Sequence, residues 1–368
     1  MKTVCAADMC CGCNLCATVC KKDAIQIIDN IKSFNAIVDE VKCVDCGVCE
    51  KMCPVNEPIE KCSPLIWKQG WAIDDDIRKN SSSGGFAQAI QRAFVENGGV
   101  VCSCFFDNGE FVFGFASQVD ELKKFVGSKY VKSDPKDVYC DIAEYLRNGT
   151  KVLFVGLPCQ CAAARRCSKD NELLYTVDLI CHGTPSPKLI QMFLAEKGCD
   201  VNAVSNVEFR QKTDFRVSVE GKSVDPESVR DRYTLAFLSS LCYTENCYSC
   251  QYACAERVSD LTLGDSWGSE LDEKEQSKGI SLVLCQTSKG QELLNMSDLY
   301  LAGVDLDNAV KNNRQLVAPS ERPKEKAIFF TALHKTKNFN KSVKKCFWKI
   351  CTRQNLKAIL LKAGIIRR

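Results

Sequence analysis

The sequence predicts a protein that combines α+β and α/β structure, with a small cysteine-rich domain, a mixed α/β core and a basic helical tail. Three observations lead to this prediction. The first part contains two cysteine runs of equal spacing, the middle part contains a strand–helix–strand pattern, and the last part combines basic residues with helical spacing. We place the four segments at residues 1–62, 63–149, 150–320 and 321–368.

Composition points to a reduced, metal-binding chain. The 368 residues include 26 cysteines, and the net charge is only +3, which gives no general argument for nucleic-acid binding. A secreted disulfide scaffold would be shorter and would begin with an apolar leader, which the N-terminus lacks. No run of about 20 apolar residues occurs, so we expect no membrane span. We therefore expect a cytoplasmic protein whose cysteines bind metal.

Both N-terminal cysteine runs follow the pattern C-x2-C-x2-C-x3-C. Bacterial two-cluster ferredoxins have this spacing, and the fourth cysteine of each run ligates the other 4Fe–4S cluster. We expect one cluster on Cys10, Cys13, Cys16 and Cys53 and the other on Cys43, Cys46, Cys49 and Cys20. Zinc is the alternative, but it favours two pairs of cysteines over two runs of four. Cys11 is an additional cysteine within the first run.

Two short strands are predicted to cover these clusters, at Ala24–Ile28 and Ala36–Val38. After the boundary at residue 63, Trp71–Ile73 is a candidate strand. Two apolar runs, Val100–Phe106 and Phe111–Phe115, flank a turn with Asn-Gly and predict a hairpin.

A serine- and glycine-rich turn at Ser81–Gly85 precedes a predicted helix at Phe86–Glu96. Such a turn offers free N–H groups and the positive end of a helix dipole, which suits the phosphate of a flavin nucleotide. A plain helix cap is the simpler interpretation, since the spacing is not GxGxxG. Further on, Lys129 could neutralise a phosphate and Tyr130 could pack on a ring, or both belong to an ordinary loop. A helix is expected at Asp137–Arg147.

A β-α-β unit is predicted from Lys151–Val155, Cys161–Cys167 and Leu173–Ile180, which implies a parallel pair of strands. Ligands of such sheets lie beyond the carboxyl ends of the strands. The residues at these two ends are Pro158, Cys159, Gln160, Cys181 and His182.

Cys159 and His182 are the candidate catalytic residues at these strand ends. Cys159 is expected near a helix N-terminus, where it could be a cluster ligand, a redox-active thiol or merely a small buried residue. His182 is one of two histidines, and either proton transfer or a structural hydrogen bond would explain it.

A second cysteine-rich segment follows Val207–Arg210 and Phe215–Val219, which resemble a hairpin, and a predicted helix at Tyr233–Leu241. It precedes a predicted strand at Asp260–Leu263. We expect a third 4Fe–4S cluster on Cys242, Cys247, Cys250 and Cys181, with Cys254 and Cys159 as alternatives for the fourth ligand. Four thiolates would also suit zinc.

Six motifs together resemble one known family, the β-subunits of the hydrogenase that reduces the deazaflavin coenzyme F420, which includes formate dehydrogenase β-subunits. Plant 7-hydroxymethyl chlorophyll a reductase belongs to the same superfamily. The resemblance extends from Trp71 to Leu316. The motifs are SSSGG at Ser81–Gly85, GSKY at Gly127–Tyr130, LPCQ at Leu157–Gln160, ICHGTPSP at Ile180–Pro187, CYTENCYSC at Cys242–Cys250 and SDLTLGDSWG at Ser259–Gly268.

The resemblance implies FAD next to a 4Fe–4S cluster, and many family members carry an N-terminal two-cluster ferredoxin. The expected FAD-binding residues are Ser82, Ser83, Gly84, Gly85, Lys129, Tyr130, Pro158 and Gln160. This chain departs from the family at Thr244–Asn246, where an Arg-Pro-Ser type of segment is usual. Many chains of this kind resemble bacterial members that are grouped with polysaccharide-synthesis genes.

We therefore expect a flavin- and iron–sulfur-dependent oxidoreductase. Electrons would pass from a ferredoxin-type donor or redox partner protein through the clusters to FAD, and then to a small substrate or deazaflavin-like acceptor. One alternative is a non-catalytic electron-transfer subunit that docks to a partner enzyme. Another is a structural or interaction protein with vestigial clusters.

From Arg322 onward the chain has fourteen Lys or Arg and one acidic residue, Glu325, interleaved with apolar residues. We expect a pair of helices packed on the core with a solvated basic face. Peripheral contact with an anionic membrane surface or an acidic partner is the alternative.

Overall fold

The computed structural model describes residues 2–365. Its first unit is a small domain with one antiparallel hairpin, β1 (Ile25–Asp29) and β2 (Phe34–Val38), and two short helices, α1 (Leu15–Thr18) and α2 (Val48–Met52). Both predicted strands are confirmed. Several cysteines of the two runs lie in the apolar core of this domain.

The other strands have the following bounds: β3 (Ile66–Ala72), β4 (Val100–Asp107), β5 (Glu110–Ala116), β6 (Val152–Val155), β7 (Leu174–Leu179), β8 (Val207–Gln211), β9 (Asp214–Val219), β10 (Lys222–Ser223), β11 (Leu261–Asp265), β12 (Ser281–Cys285) and β13 (Leu299–Ala302). The other helices are α3 (Asp75–Asn80), α4 (Phe86–Glu96), α5 (Val138–Arg147), α6 (Pro158–Cys167), α7 (Pro187–Ala195), α8 (Arg232–Leu238), α9 (Glu273–Lys278), α10 (Ser288–Met296), α11 (Leu306–Asn312), α12 (Lys326–Thr336), α13 (Phe339–Cys346) and α14 (Trp348–Lys362).

A mixed eight-stranded sheet forms the core, in the order β13-β3-β12-β11-β7-β6-β4-β5. Strands β4, β6, β7 and β11 are parallel to one another, and the other pairings are antiparallel. The predicted parallel pair and hairpin are confirmed, and so is the mixed α/β class. Because strands from residues 63–149 and 150–320 pair within this sheet, these two predicted segments share one structural unit.

Helices cover both faces of this sheet, as the alternation of buried residues along each strand requires. Leu153 of β6 packs with α4 and α10 on one face, whereas Phe154 packs with α5 and α6 on the other. The cysteine-rich loop that precedes α1 joins this second core, since Cys11 and Cys13 lie in it. The small domain is therefore packed directly against the α5–α6 side of the sheet.

Three element boundaries differ from the prediction by three residues or more. Strand β3 begins at Ile66, five residues before the predicted start, because it lies between two distant strands, β12 and β13. Helix α6 begins at Pro158, since proline is well suited to the first position of a helix. Helix α8 ends at Leu238, three residues earlier than expected.

The basic tail forms three helices and not the predicted pair. Phe329 of α12 and Phe339 of α13 are buried in a core shared with α7, α8 and the β8–β10 sheet. Helix α14 packs little, and Trp348 and Ile359 are 61% and 62% exposed. Residues 366–368 of the predicted tail lie outside the described residues. No helix within residues 2–365 has the length and apolar character needed to cross a membrane.

Candidate functional site

A cavity of about 460 Å³ lies at the carboxyl ends of the parallel strands. Val155 of β6, Leu179 of β7 and Leu263 of β11 form part of its wall. Ligand sites in open α/β sheets are typically found at this edge, and their volumes are roughly 300–1,000 Å³. We refer to this space as the sheet-end cavity.

The turn before α4 borders the sheet-end cavity. Ser82, Ser83 and Gly85 line it, and the Ser82 hydroxyl accepts a hydrogen bond of 3.0 Å from the Ser128 backbone N–H. Gly85 is the N-cap of α4, has a φ of +93° and provides no side-chain cap. The turn therefore leaves the positive end of α4 facing the cavity and ties it to the GSKY loop.

Gly84 does not line this cavity. A Cβ at Gly84 would lie 2.5 Å from the Gly70 carbonyl oxygen and 2.7 Å from the Ser281 nitrogen. Glycine is therefore required here because the turn packs against β3 and β12. The structure does not support our prediction that Gly84 contacts a cofactor.

The two predicted residues of the GSKY loop both line the cavity. Lys129 Nζ donates to the carbonyl oxygens of Phe125 and Val126 at 2.8 and 2.9 Å, and burial lowers the pKa of Lys129 to about 8. The Tyr130 ring stacks on Phe237 with 4.4 Å between the ring centroids. Tyr130 therefore packs on protein rings, while Lys129 provides a cation near the cavity wall.

Two further features of the cavity wall were missed at the sequence level. Arg210 and Asp265 form a pair with two hydrogen bonds of 2.6 and 2.7 Å, and the guanidinium lies over Trp267. Gln91 is 2% exposed, and its Oε1 atom has no hydrogen-bond partner among the described residues. Asp265 and Trp267 belong to the SDLTLGDSWG motif, but Arg210 and Gln91 carried no recognisable signal.

Five cysteines from four parts of the chain, including Cys11 of the first run, line a second cavity of about 180 Å³, which we call the thiol cavity. Cys159 lies in the first turn of α6 and Cys181 follows β7, while Cys247 and Cys250 come from the second cysteine-rich segment. The Thr184 backbone N–H donates to the Cys247 sulfur at 3.4 Å, a contact typical of sulfurs in cluster sites.

Cys242 does not reach this cavity, contrary to our prediction. It is fully buried in the core that contains Tyr233 of α8 and Phe329 of α12. The 3-10 helix at Glu245–Ser249 lies between Cys242 and Cys250 in the chain. Cys254 also lies apart, where its sulfur accepts a hydrogen bond of 3.3 Å from Lys61 Nζ.

Cys159 is unsuited to be a free thiolate. Its hydrogen bond with Cys11 and its burial raise the pKa of the Cys159 thiol well above the ordinary value, although Lys132 opposes this. The raised pKa therefore does not support our prediction that Cys159 is a redox-active thiol. It is compatible with Cys159 as a metal ligand, because metal binding deprotonates a thiol.

Cys181 and His182 line both cavities, so the two spaces adjoin. The surrounding protein lowers the pKa of His182, mainly because it desolvates the imidazolium. Pro158 lines the thiol cavity and not the sheet-end cavity, unlike our expectation. Gln160 is fully buried; its Oε1 atom accepts a hydrogen bond from the Leu157 N–H, and its Nε2 atom donates to Ser133. Gln160 therefore links the segments that contain Leu157 and Ser133.

The ferredoxin-type cysteines divide into a buried set and a surface set. Cys10, Cys13, Cys16 and Cys53 line a third, small cavity, so Cys53 lies beside the first run as the spacing predicted. In the other set, Cys46 is exposed and Cys20, Cys43 and Cys49 are half-buried. Cys11 and Val55 line both the third cavity and the thiol cavity, so these two spaces also adjoin.

The donor sets fit iron–sulfur clusters by chemistry. Backbone N–H groups donate to the sulfurs of Cys10, Cys20 and Cys43 at 3.4–3.5 Å, as they do in cluster sites. Within residues 2–365, no group of three or more Cys, His, Asp or Glu side chains is arranged around a single metal ion. The thiols line cavities instead. That these cavities hold iron–sulfur clusters and not zinc stays a prediction.

The fold and these cavities define a cysteine-rich α/β protein with a ferredoxin-type N-terminal cysteine pattern. Residues 149–307 match the family model that describes the C-terminal part of the coenzyme F420 hydrogenase/dehydrogenase beta subunit. This match confirms the resemblance over these residues.

Among solved structures, the chain is similar to one from the F420-reducing NiFe hydrogenase complex of Methanosarcina barkeri, studied by xenon derivatization. The identity is 19% and the TM-score is 0.48, and the match covers 72% of this chain and 97% of that chain. No curated protein matches the chain.

Proposed function

We propose that the protein is an iron–sulfur flavoprotein oxidoreductase that exchanges electrons with a partner protein at its ferredoxin-type domain and with a small substrate at the sheet-end cavity. One observation carries this proposal. The three cavities form a row in which each neighbouring pair shares wall residues, first Cys11 and Val55, then Cys181 and His182.

The proposed ligand sets follow this row from the surface inward. The outer cluster would be held by Cys20, Cys43, Cys46 and Cys49, and the inner ferredoxin cluster by Cys10, Cys13, Cys16 and Cys53. For the third cluster we replace Cys242 by Cys159, so that the set is Cys159, Cys181, Cys247 and Cys250. The exposure of Cys46 favours the outer set as the place where a redox partner docks.

FAD is the proposed ligand of the sheet-end cavity. The N-terminal end of α4 and the cation of Lys129 would attract its phosphates, and the amide oxygen of Gln91 would gain a partner. A bound flavin links one-electron carriers to a two-electron substrate. His182 lines both cavities, and burial lowers its pKa, so its imidazole is neutral at pH 7, which is the form that a general base requires.

A non-catalytic electron-transfer subunit is the second candidate, since the matched family includes hydrogenase and dehydrogenase subunits. The row of cavities would then deliver electrons to a partner enzyme. A stoichiometric complex that survives purification, together with no substrate turnover by the isolated chain, would favour this candidate.

The first experiment is to measure iron, acid-labile sulfide and flavin in anaerobically purified protein, together with its absorption spectrum. About twelve irons and one FAD per chain would support three cubes and a flavin. About eight irons without flavin would contradict the proposal, because only the two ferredoxin clusters would then exist.

A further inference from the structure

Lys132 is a buried cation beside the thiol cavity. Its side chain is 4% exposed, and its Nζ atom lies 3.8 Å from the Cys159 sulfur. Among the described residues this sulfur is its one hydrogen-bond partner, and no carboxylate forms an ion pair with it. A lone ammonium is costly to bury, so its neutralising charge must come from the surrounding thiols once metal binding has deprotonated them.

Lys132 lines the thiol cavity together with all four cysteines of the proposed third ligand set, Cys159, Cys181, Cys247 and Cys250. Binding of a cluster would deprotonate these thiols. The Lys132 ammonium would then face negatively charged sulfurs.

Tyr252 supplies an independent observation at the same cavity. It lines the thiol cavity and is 6% exposed, but its hydroxyl has no hydrogen-bond partner among the described residues. A buried hydroxyl without a partner is rare and destabilising. The sulfur atoms of a group held by the thiols would provide the missing acceptor.

We propose that Lys132, assisted by the Tyr252 hydroxyl, raises the reduction potential of the third cluster. Reduction adds one electron, and thus negative charge, to the cluster. A cation and hydroxyl donors at its sulfurs stabilise that reduced form. The third cluster would consequently accept electrons from the ferredoxin clusters, which favours flow toward the sheet-end cavity. This inference rests on the proposed function, because it requires the third cluster.

The test is an EPR-monitored redox titration of anaerobically purified Lys132→Met, which removes the charge but keeps a similar side-chain length. We expect full iron content and at least a tenfold smaller equilibrium constant for reduction of one cluster, which is a shift of 59 mV to lower potential for a one-electron couple. Lys132→Arg should stay near the wild-type potential because it keeps the charge.

Lys61→Met is the matched control, because Lys61 Nζ lies 3.3 Å from a cysteine outside the cavity, Cys254. It should shift no potential. Unchanged potentials in Lys132→Met, or equal shifts in Lys132→Arg and Lys132→Met, would overturn the inference. If Lys132→Met loses iron, Tyr252→Phe replaces it in the titration. A lower potential then supports the inference and an unchanged one overturns it. Eight irons in the wild-type protein would instead contradict the proposed function itself.

Discussion

Replacing Cys159 by serine should remove the third cluster, whereas replacing Cys242 should leave it in place. Cys159 lines the thiol cavity with Cys181, Cys247 and Cys250, while Cys242 is buried in a different core. Cys159→Ser should therefore lose about four of about twelve irons per chain, with both ferredoxin signals retained. Cys242→Ser should keep all irons but lose roughly 1–3 kcal/mol of unfolding free energy, because it places a hydroxyl among apolar side chains.

Iron and sulfide analysis with EPR of the reduced protein would distinguish the two variants. Cys161→Ser is the matched control for Cys159→Ser, because Cys161 lies on the same helix and is fully buried. Its sulfur donates to the Val177 carbonyl oxygen at 3.5 Å, a bond that serine can also form. Loss of four irons in Cys242→Ser, with twelve retained in Cys159→Ser, would refute the revised ligand set.

The remaining predictions concern the flavin, its pH dependence and stability. Gly85→Val should abolish flavin binding with no loss of iron, because the added side chain would crowd Ala72 and Ile77. Gly98→Val is the control, because Gly98 has a similar φ of +79° at the other end of α4 and nothing lies within 4 Å of the new Cβ. The absorption spectrum of Gly98→Val should still show bound flavin. Flavin affinity should fall as the pH rises through about 8, because Lys129 loses its proton and no longer attracts a phosphate. Lys129→Met should abolish this pH dependence. A pH-independent affinity of the wild-type protein in fluorescence titrations would contradict the role of Lys129. Arg257→Met should lower the free energy of unfolding by about 3–5 kcal/mol in denaturant titrations, because it leaves the fully buried Asp178 unpaired. Arg92→Met at the surface should lower it by only about 0–1 kcal/mol. Equal losses in the two variants would disprove the argument.

Local patterns predicted most of the fold. Helix α4 has the bounds that its apolar spacing indicated, and the β4–β5 hairpin and the parallel β6–β7 pair formed as expected. These elements depend on periodicity and turn residues within short stretches of the chain. Strand β3 was located poorly, because its partners β12 and β13 are more than 200 residues away and leave no local trace.

The candidate site divides in the same way. The spacing alone predicted that Cys53 lies beside the first cysteine run, and Cys53 lines the third cavity together with cysteines of that run. The two ferredoxin ligand sets themselves stay predictions. The spacing of Cys242, Cys247 and Cys250 predicted a shared site, whereas only Cys247 and Cys250 line the thiol cavity. Only the path of the chain through the 3-10 helix shows that Cys242 enters another core and that Cys159 takes its place in the cavity wall.

The sequence by itself determined the cysteine-rich character of the chain, its resemblance to the F420 hydrogenase and dehydrogenase β-subunits, and the elements that carry each motif. The tertiary structure decided which distant residues meet, including the juxtaposition of Lys132 with Cys159 and the burial of Gln91 without a partner. The physical reason is that spacing along the chain governs local geometry, whereas the surroundings of a buried charge or thiol depend on packing between segments far apart in the chain.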